Sequence, residues 1–266
     1  MVSGGAAICE VHPIQPEGGL HEAAHCLRSA WQRGVHSCDS ERGKGIDAVY
    51  AAGDFVDYGP DPVPAIDLVR EHGFHCVRGN HDERVLRFWN EGGYVSRPDG
   101  ECAWADINCS RLDREHISWL SALPKTLSFT SDGIAYLMAH SISMGYDVIE
   151  NASAFDRFWE EYFDLPGCGG MPRRMIFGHT HRQMLVRLPG DRLWMNPGSA
   201  SYRRPDDPSK DAFYITIESG NISLRQVPYE RKRLHEETLR LKQQLKKTEF
   251  EAADFFFGGT DAPGGN

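Results

Sequence analysis

The chain has 266 residues, 40% of them hydrophobic and 25% charged, with a formal net charge of −9. Those proportions describe a globular protein long enough to bury one generous α/β core or two small ones. The acidic balance argues against binding a nucleic-acid duplex, no stretch approaches the roughly 18 apolar residues of a membrane span, and the N-terminus has no secretory-signal pattern.

Seven cysteines (Cys9, Cys26, Cys38, Cys76, Cys102, Cys109, Cys168) are odd in number, scattered and never spaced C-x-x-C, which suits reduced thiols in a cytoplasmic enzyme. In chain order, "AAIC" (6–9) predicts a short buried strand, and Leu20, Ala24, Leu27 and Trp31 predict one face of a helix over 20–33. "IDAVYAAG" is a near-continuous apolar run, as expected of a strand covered on both faces. Pro62 opens a helix that Gly73 closes. "FHCV" (74–77) is a third strand, and helix resumes from Asp82. This β-α-β-α-β order predicts parallel strands with right-handed crossovers. Residues 91–111 read as an irregular insertion, followed by a helix at 113–122. Ser131-Asp132-Gly133 predicts a hairpin. Beyond a helix at "SAFDRFWEEYF", strands are expected at 174–177, 184–188, 192–195, 212–218 and 221–227. A strand-rich back half predicts two mixed sheets packed as a sandwich and flanked by helices. Residues 229–248 read as one charged helix, with Phe255, Phe256 and Phe257 beyond it.

The polar residues fall at strand ends. The first strand runs into Glu10 and His12, the second into Gly53-Asp54, and the third into "RGNHDE" (78–83). Parallel strands share one carboxyl edge, and ligands bind there. Later strands run into His140 and into "GHTH", whose His179 and His181 face one way if the chain is extended. Mixed carboxylate, amide and imidazole groups suit hard or borderline divalent metals. Gly53, Gly79 and Gly178 precede ligand candidates, where a chain without Cβ turns sharply.

A competing metal motif lies nearby. His21-Glu22-Ala23-Ala24-His25 spells the H-E-x-x-H of helical zinc proteases, with Glu22 as base. Trp31 stands where the extended motif places a third histidine, and Arg28 replaces its glycine. His21, His25, Arg28 and Gln32 form a polar stripe beside the apolar one, the pattern of a solvated face. His72, His75, His116 and His235 read as ordinary surface or core histidines.

The ordered blocks E-V-H, G-D-F-V-D, G-N-H-D, His140 and G-H-T-H resemble those of the calcineurin-like metallophosphoesterases, over about residues 6 to 230. The resemblance implies an α/β/β/α fold and hydrolysis of a phosphomonoester or phosphodiester by a hydroxide shared between two divalent ions (Mn, Fe, Zn, Ni or Mg). Asp54 would bridge the ions. His12 and His181, with Glu10 in place of the family's aspartate, would complete one. Asn80, His140 and His179 would complete the other. His81 would contact the phosphate and assist the leaving group, Asp82 would orient His81, and Asp57 would take a supporting role. Arg78 and Arg203 are candidates for phosphate binding. The phosphoesterase domain would span 1–228, a helix over 229–254 would dock on it, and 255–266 would be a mobile tail. Residues 91–111 and 141–173 are the candidate cap segments.

Glu10 is the departure. Its carboxylate reaches about 1 Å further than the usual aspartate, and misplacement of that order can cost about 10²-fold in rate. A family member impaired at this ligand, acting as a binding or scaffold module, is therefore the alternative to an active enzyme.

Overall fold

A computed structural model describes residues 5–9, 46–93, 100–141, 148–201, 211–227 and 231–258. Glu10, His12, the helix expected at 20–33 with its H-E-A-A-H stretch, and Arg203 lie outside the described residues.

Strand β1 (Gly5–Cys9) pairs in parallel with β2 (Ile46–Ala51), and β2 in turn with β3 (His75–Cys76). Helix α1 (Pro62–Glu71) crosses from β2 to β3 with Pro62 in its first turn, where the missing N–H is no loss. Two later strands, β9 (Ala212–Glu218) and β10 (Asn221–Val227), extend the sheet antiparallel to β1 in the order β10-β9-β1-β2-β3. The second sheet has the order β4-β5-β6-β8-β7. It is built from β4 (Thr126–Ser131), β5 (Ile134–Ala139), β6 (Arg173–Phe177), β7 (Met184–Leu188) and β8 (Arg192–Asn196). The β4–β5 hairpin turns through Asp132 and Gly133, both at positive φ, as a two-residue turn matched to strand twist requires.

The sheets pack face to face. Ile8, Ala52, Val77, Ile215 and Ile217 of the first meet Tyr136, Met138, Ile176 and Met195 of the second. The outer face of the first sheet is covered by α1, α2 (Asn80–Asn90), α3 (Trp104–Arg111) and α4 (Arg114–Ala122). The outer face of the second is covered by α5 (Ala152–Tyr162), whose Phe155, Phe158 and Trp159 sit on Leu137, Met175 and Trp194. Four layers, helix, sheet, sheet and helix, result, as the distribution of strands predicts. Among the described residues no helix is long and apolar enough to cross a membrane.

Two expectations need correction. The insertion at 91–111 holds a regular helix, α3. The Asp106 carboxylate caps its start by accepting from Ala103 N at 2.8 Å, and Trp104, Ala105 and Cys109 are buried. Its low amphipathicity hid it, because it is covered on most sides instead of on one stripe. The C-terminal segment is two helices, not one: α6 (Lys232–Arg240) and α7 (Lys247–Phe257). Between them the backbone pairs with Cys102, through Cys102 N to Gln244 O (3.0 Å) and Lys246 N to Cys102 O (2.9 Å). Helix α7 runs through Phe257, so Phe255 to Phe257 are helix and not tail. Phe256 and Phe257 are buried with Trp104, Ile107 and Leu234.

Candidate active site

The carboxyl ends of β2, β3, β5 and β6 lie on one edge, and each supplies part of one cluster. After β2 the chain turns at Gly53 (φ 98°), where a Cβ would lie 2.7 Å from Gly79 N and 2.9 Å from His140 Nδ1. Gly79 lacks room for the same reason: a Cβ there would strike the Asp54 carboxylate and sit 2.6 Å from Asp54 N. Two glycines thus let the loops after β2 and β3 touch, which brings Asp54 to the N-terminus of α2. His81 N donates to Asp54 Oδ1 at 2.9 Å, a favourable place for an anion.

The four coordinating candidates converge. His140 Nε2 lies 3.2 Å from Asp54 Oδ2, 2.8 Å from Asn80 Oδ1 and 3.2 Å from His179 Nδ1. His179 Nδ1 is 2.8 Å from Asn80 Oδ1. His140 Nδ1 donates to the Ala52 carbonyl at 2.7 Å, which leaves the Nε2 lone pair facing the cluster in the neutral ring. Among the described residues no three histidine, cysteine, aspartate or glutamate side chains are spaced as a metal site by themselves. Asn80 completes the set of four. Its spacings match neighbouring ligands of a six-coordinate ion with bonds of about 2.1 Å, whose adjacent ligands lie about 3 Å apart. Two oxygens and two imidazole nitrogens also fit a hard or borderline divalent metal chemically.

His181 is buried on the same loop as His179. The expectation that they project together from extended chain is not met, since both have positive φ (62° and 55°). Thr180 N donates to Gly178 O at 2.7 Å, closing a tight turn around His179 of a kind rarely adopted by non-glycine residues. Asn196, at the end of β8, braces that turn by donating to Gly178 O and to Thr180 Oγ1 (3.0 Å). Asp54, Asp57 and Tyr58 also have positive φ. Backbone held this way costs on the order of 1–3 kcal/mol per residue and gathers at functional sites.

Two roles fall to residues other than those expected. Asp82 does not orient His81: its carboxylate accepts from Asp54 N (3.0 Å), Phe55 N (2.8 Å) and Gly79 N (2.8 Å), locking the two loops together. Burial and the Asp54 carboxylate push the Asp82 pKa up, against the Gly79 and Phe55 N–H donors. The carboxylate that holds His81 is Asp57, with Oδ2 2.8 Å from Nδ1. Burial alone would lower the His81 pKa, but Asp54 and Asp57 outweigh it and raise the imidazole to about 9. Asp57 is itself buried and kept below the usual carboxylate range by His81 and Arg84, despite desolvation.

Arg78 is turned elsewhere, donating from Nη1 to Ser121 O at 2.9 Å at the C-terminal end of α4. It serves that helix end, where cations are favoured, and not the cluster. The cation beside the site is Arg84, whose Nη1 lies 2.8 Å from Asp57 Oδ2. Arg84 and Asn108, which accepts from Asp57 N at 2.9 Å, carry no motif; only their positions on the inner faces of α2 and α3 betray them.

Comparison with known proteins gives the family. The family model described as "Calcineurin-like phosphoesterase superfamily domain" matches residues 24–220. The chain belongs to the calcineurin-like phosphoesterases. It is similar to serine/threonine-protein phosphatase 2 of Escherichia coli, 31% identical over 100 residues. That match covers 36% of this chain and 45% of the phosphatase, so less than half of that protein's length is spanned. An uncharacterized protein of Methanocaldococcus jannaschii is 22% identical over 221 residues, covering 75% of this chain and 83% of its own. Among solved structures, a metallophosphoesterase from Sphaerobacter thermophilus superposes with a TM-score of 0.59 at 19% identity, covering 95% of this chain and 98% of its own. A hypothetical protein from Pyrococcus horikoshii does so with a TM-score of 0.65 at 14% identity, covering 97% and 100%. The two solved structures share the fold; the residues of the site are read from this chain's own geometry.

Proposed function

We propose that the protein is a hydrolase of phosphomonoesters or phosphodiesters working with two divalent ions at the common edge of its sheets. The observation that carries this reading is the convergence of Asp54 Oδ2, Asn80 Oδ1, His140 Nε2 and His179 Nδ1. These residues would hold one ion. Asp54 would reach the second as well, with His181, Glu10 and His12 as its other ligands. When bound, the ions would neutralise the phosphate and activate the attacking water.

The chain's own groups account for the rest. His81, on the first turn of α2, is held at Nδ1 by Asp57, and its ring would meet the ester. Asp57 also favours the protonated ring, which would bind the phosphate and pass a proton to the departing oxygen. The N-terminus of α2 adds its own preference for negative charge. The phosphatase name carried by the Escherichia coli relative is consistent with ester hydrolysis in this chain. The free thiols of Cys76, Cys102, Cys109 and Cys168 fit a cytoplasmic setting.

Hydrolysis of aryl phosphate mono- and diesters by purified protein with added Mn²⁺ tests the proposal. Activity is expected in the wild type and a loss of at least about 10²-fold in Asp54→Asn. Full activity in Asp54→Asn, or none in the wild type with any divalent metal, would sink it. Glu10→Asp resolves the alternative: a higher rate means that Glu10 is an impaired ligand.

A further inference from the structure

The Asp57–His81 pair does not end at Asp57. Arg84 donates from Nη1 to the same Oδ2 that holds His81, at 2.8 Å, and from Nη2 to Glu249 Oε1 at 2.6 Å. Glu249 lies on α7, 165 residues along the chain from Arg84. Two further bonds fix it against α3: Trp104 N donates to Oε2 at 3.3 Å, and Trp104 Nε1 donates to its backbone carbonyl at 2.9 Å. A parallel apolar route runs beside the charged one. Tyr58 meets the His81 ring edge-on at 4.9 Å between centroids, and Phe256 of α7 meets Tyr58 in the same manner at 5.9 Å. Arg84 also stands over the Tyr58 ring at 5.7 Å.

The groups alternate along this row: imidazole, carboxylate, guanidinium, carboxylate. Asp57 is fully buried, and one of its oxygens accepts from both His81 and Arg84. Arg84 competes with His81 for that oxygen unless its other end is anchored. Glu249 accepts from that other end, Nη2, and a guanidinium held on both sides has a fixed orientation. Both helices of the C-terminal segment lie beyond residue 220, where the family match ends.

We propose that Glu249 and Arg84 are positioning residues for His81, so that the C-terminal helix α7 forms part of the catalytic apparatus and is not merely docked on the domain. The proposal rests on His81 being the group that protonates the leaving oxygen. That role gives it a signature which general loosening of the fold does not share. A poor, alkyl leaving group needs the proton, whereas a 4-nitrophenyl group departs without it.

The test compares full-length wild type, Glu249→Gln, Arg84→Lys and His81→Ala on matched aryl and alkyl phosphate esters with Mn²⁺, with thermal melting to confirm the fold. In Glu249→Gln, kcat on the alkyl ester should fall about tenfold and on the aryl ester less than about threefold, with KM nearly constant. Arg84→Lys, which keeps the charge but not the two-sided geometry, should show the same selective loss, and it carries the test alone if Glu249→Gln does not fold. Equal losses on both esters, or none, would overturn the proposal. His81→Ala separates the two levels. If it too lacks selectivity, the role given to His81 is wrong; if it alone is selective, the link to α7 is wrong.

Discussion

His81 and Asp82 are neighbours in sequence with opposite kinds of work, and two substitutions should separate them. Asp57→Asn removes the carboxylate that helps raise His81 to about 9, so the ring's pKa must fall. If the protonated ring is the acid, the alkaline limb of kcat/KM then moves to lower pH; an unmoved limb would contradict that role. The same linkage acts on stability. A histidine raised above its ordinary 6.5 stabilises the fold fully below that value, and the contribution disappears as pH rises through about 9. Asp82→Ala should act chiefly on stability, because three backbone N–H groups lose their acceptor in a buried place. A loss of about 3–5 kcal/mol by chemical denaturation is expected. Tyr136 offers a third case. Its hydroxyl is buried without a hydrogen-bond partner among the described residues, and burial raises its pKa to about 12. The unfolded chain ionises first, so stability should fall between pH 10 and 12, and Tyr136→Phe should flatten that decline in denaturant titrations across the range.

The strands could be read from apolar runs and turn residues because those signals are local. Val49 to Ala52 or Ile134 to Ala139 need only their own neighbours to declare a strand. The convergence of strand ends could be read for the same reason: it follows from parallel topology. Helix α3 could not, since Trp104, Ile107 and Cys109 are buried by partners distant in sequence, α7 among them. Nor could the exchange of roles between Asp57 and Asp82. Both sit in recognisable blocks, and only the left-handed backbone at Asp57 and Tyr58 turns one carboxylate toward His81. The turn around His179 is the matching case, and Asn196→Ala tests it. Without the amide that spans Gly178 O and Thr180 Oγ1, His179 should lose its fixed placement. Metal affinity should drop by about 10–100-fold, measured by competition with a chelating dye, with little change in KM. Unchanged affinity would show that the turn holds itself.

As a molecule, the protein is a sandwich whose two sheets are joined by packing along their faces and by polar contacts at one edge. Asp54 and Asn80 follow strands of the first sheet, His140 and His179 strands of the second, and His140 Nδ1 reaches across to Ala52 O. A cation bound among them would therefore tie the sheets together, and its removal should lower thermal stability. At metal concentrations about 100-fold above Kd the stabilisation is about 2.7 kcal/mol, which chelation should abolish in a melting experiment. The family match says what kind of chemistry to look for; the convergence of four lone-pair atoms says where. Anomalous scattering from crystals grown with Mn²⁺ tests that placement most directly. A peak is expected in contact with Asp54 Oδ2, Asn80 Oδ1, His140 Nε2 and His179 Nδ1. Protein that hydrolyses phosphate esters with Mn²⁺ but shows no peak between these four atoms would contradict the assigned site.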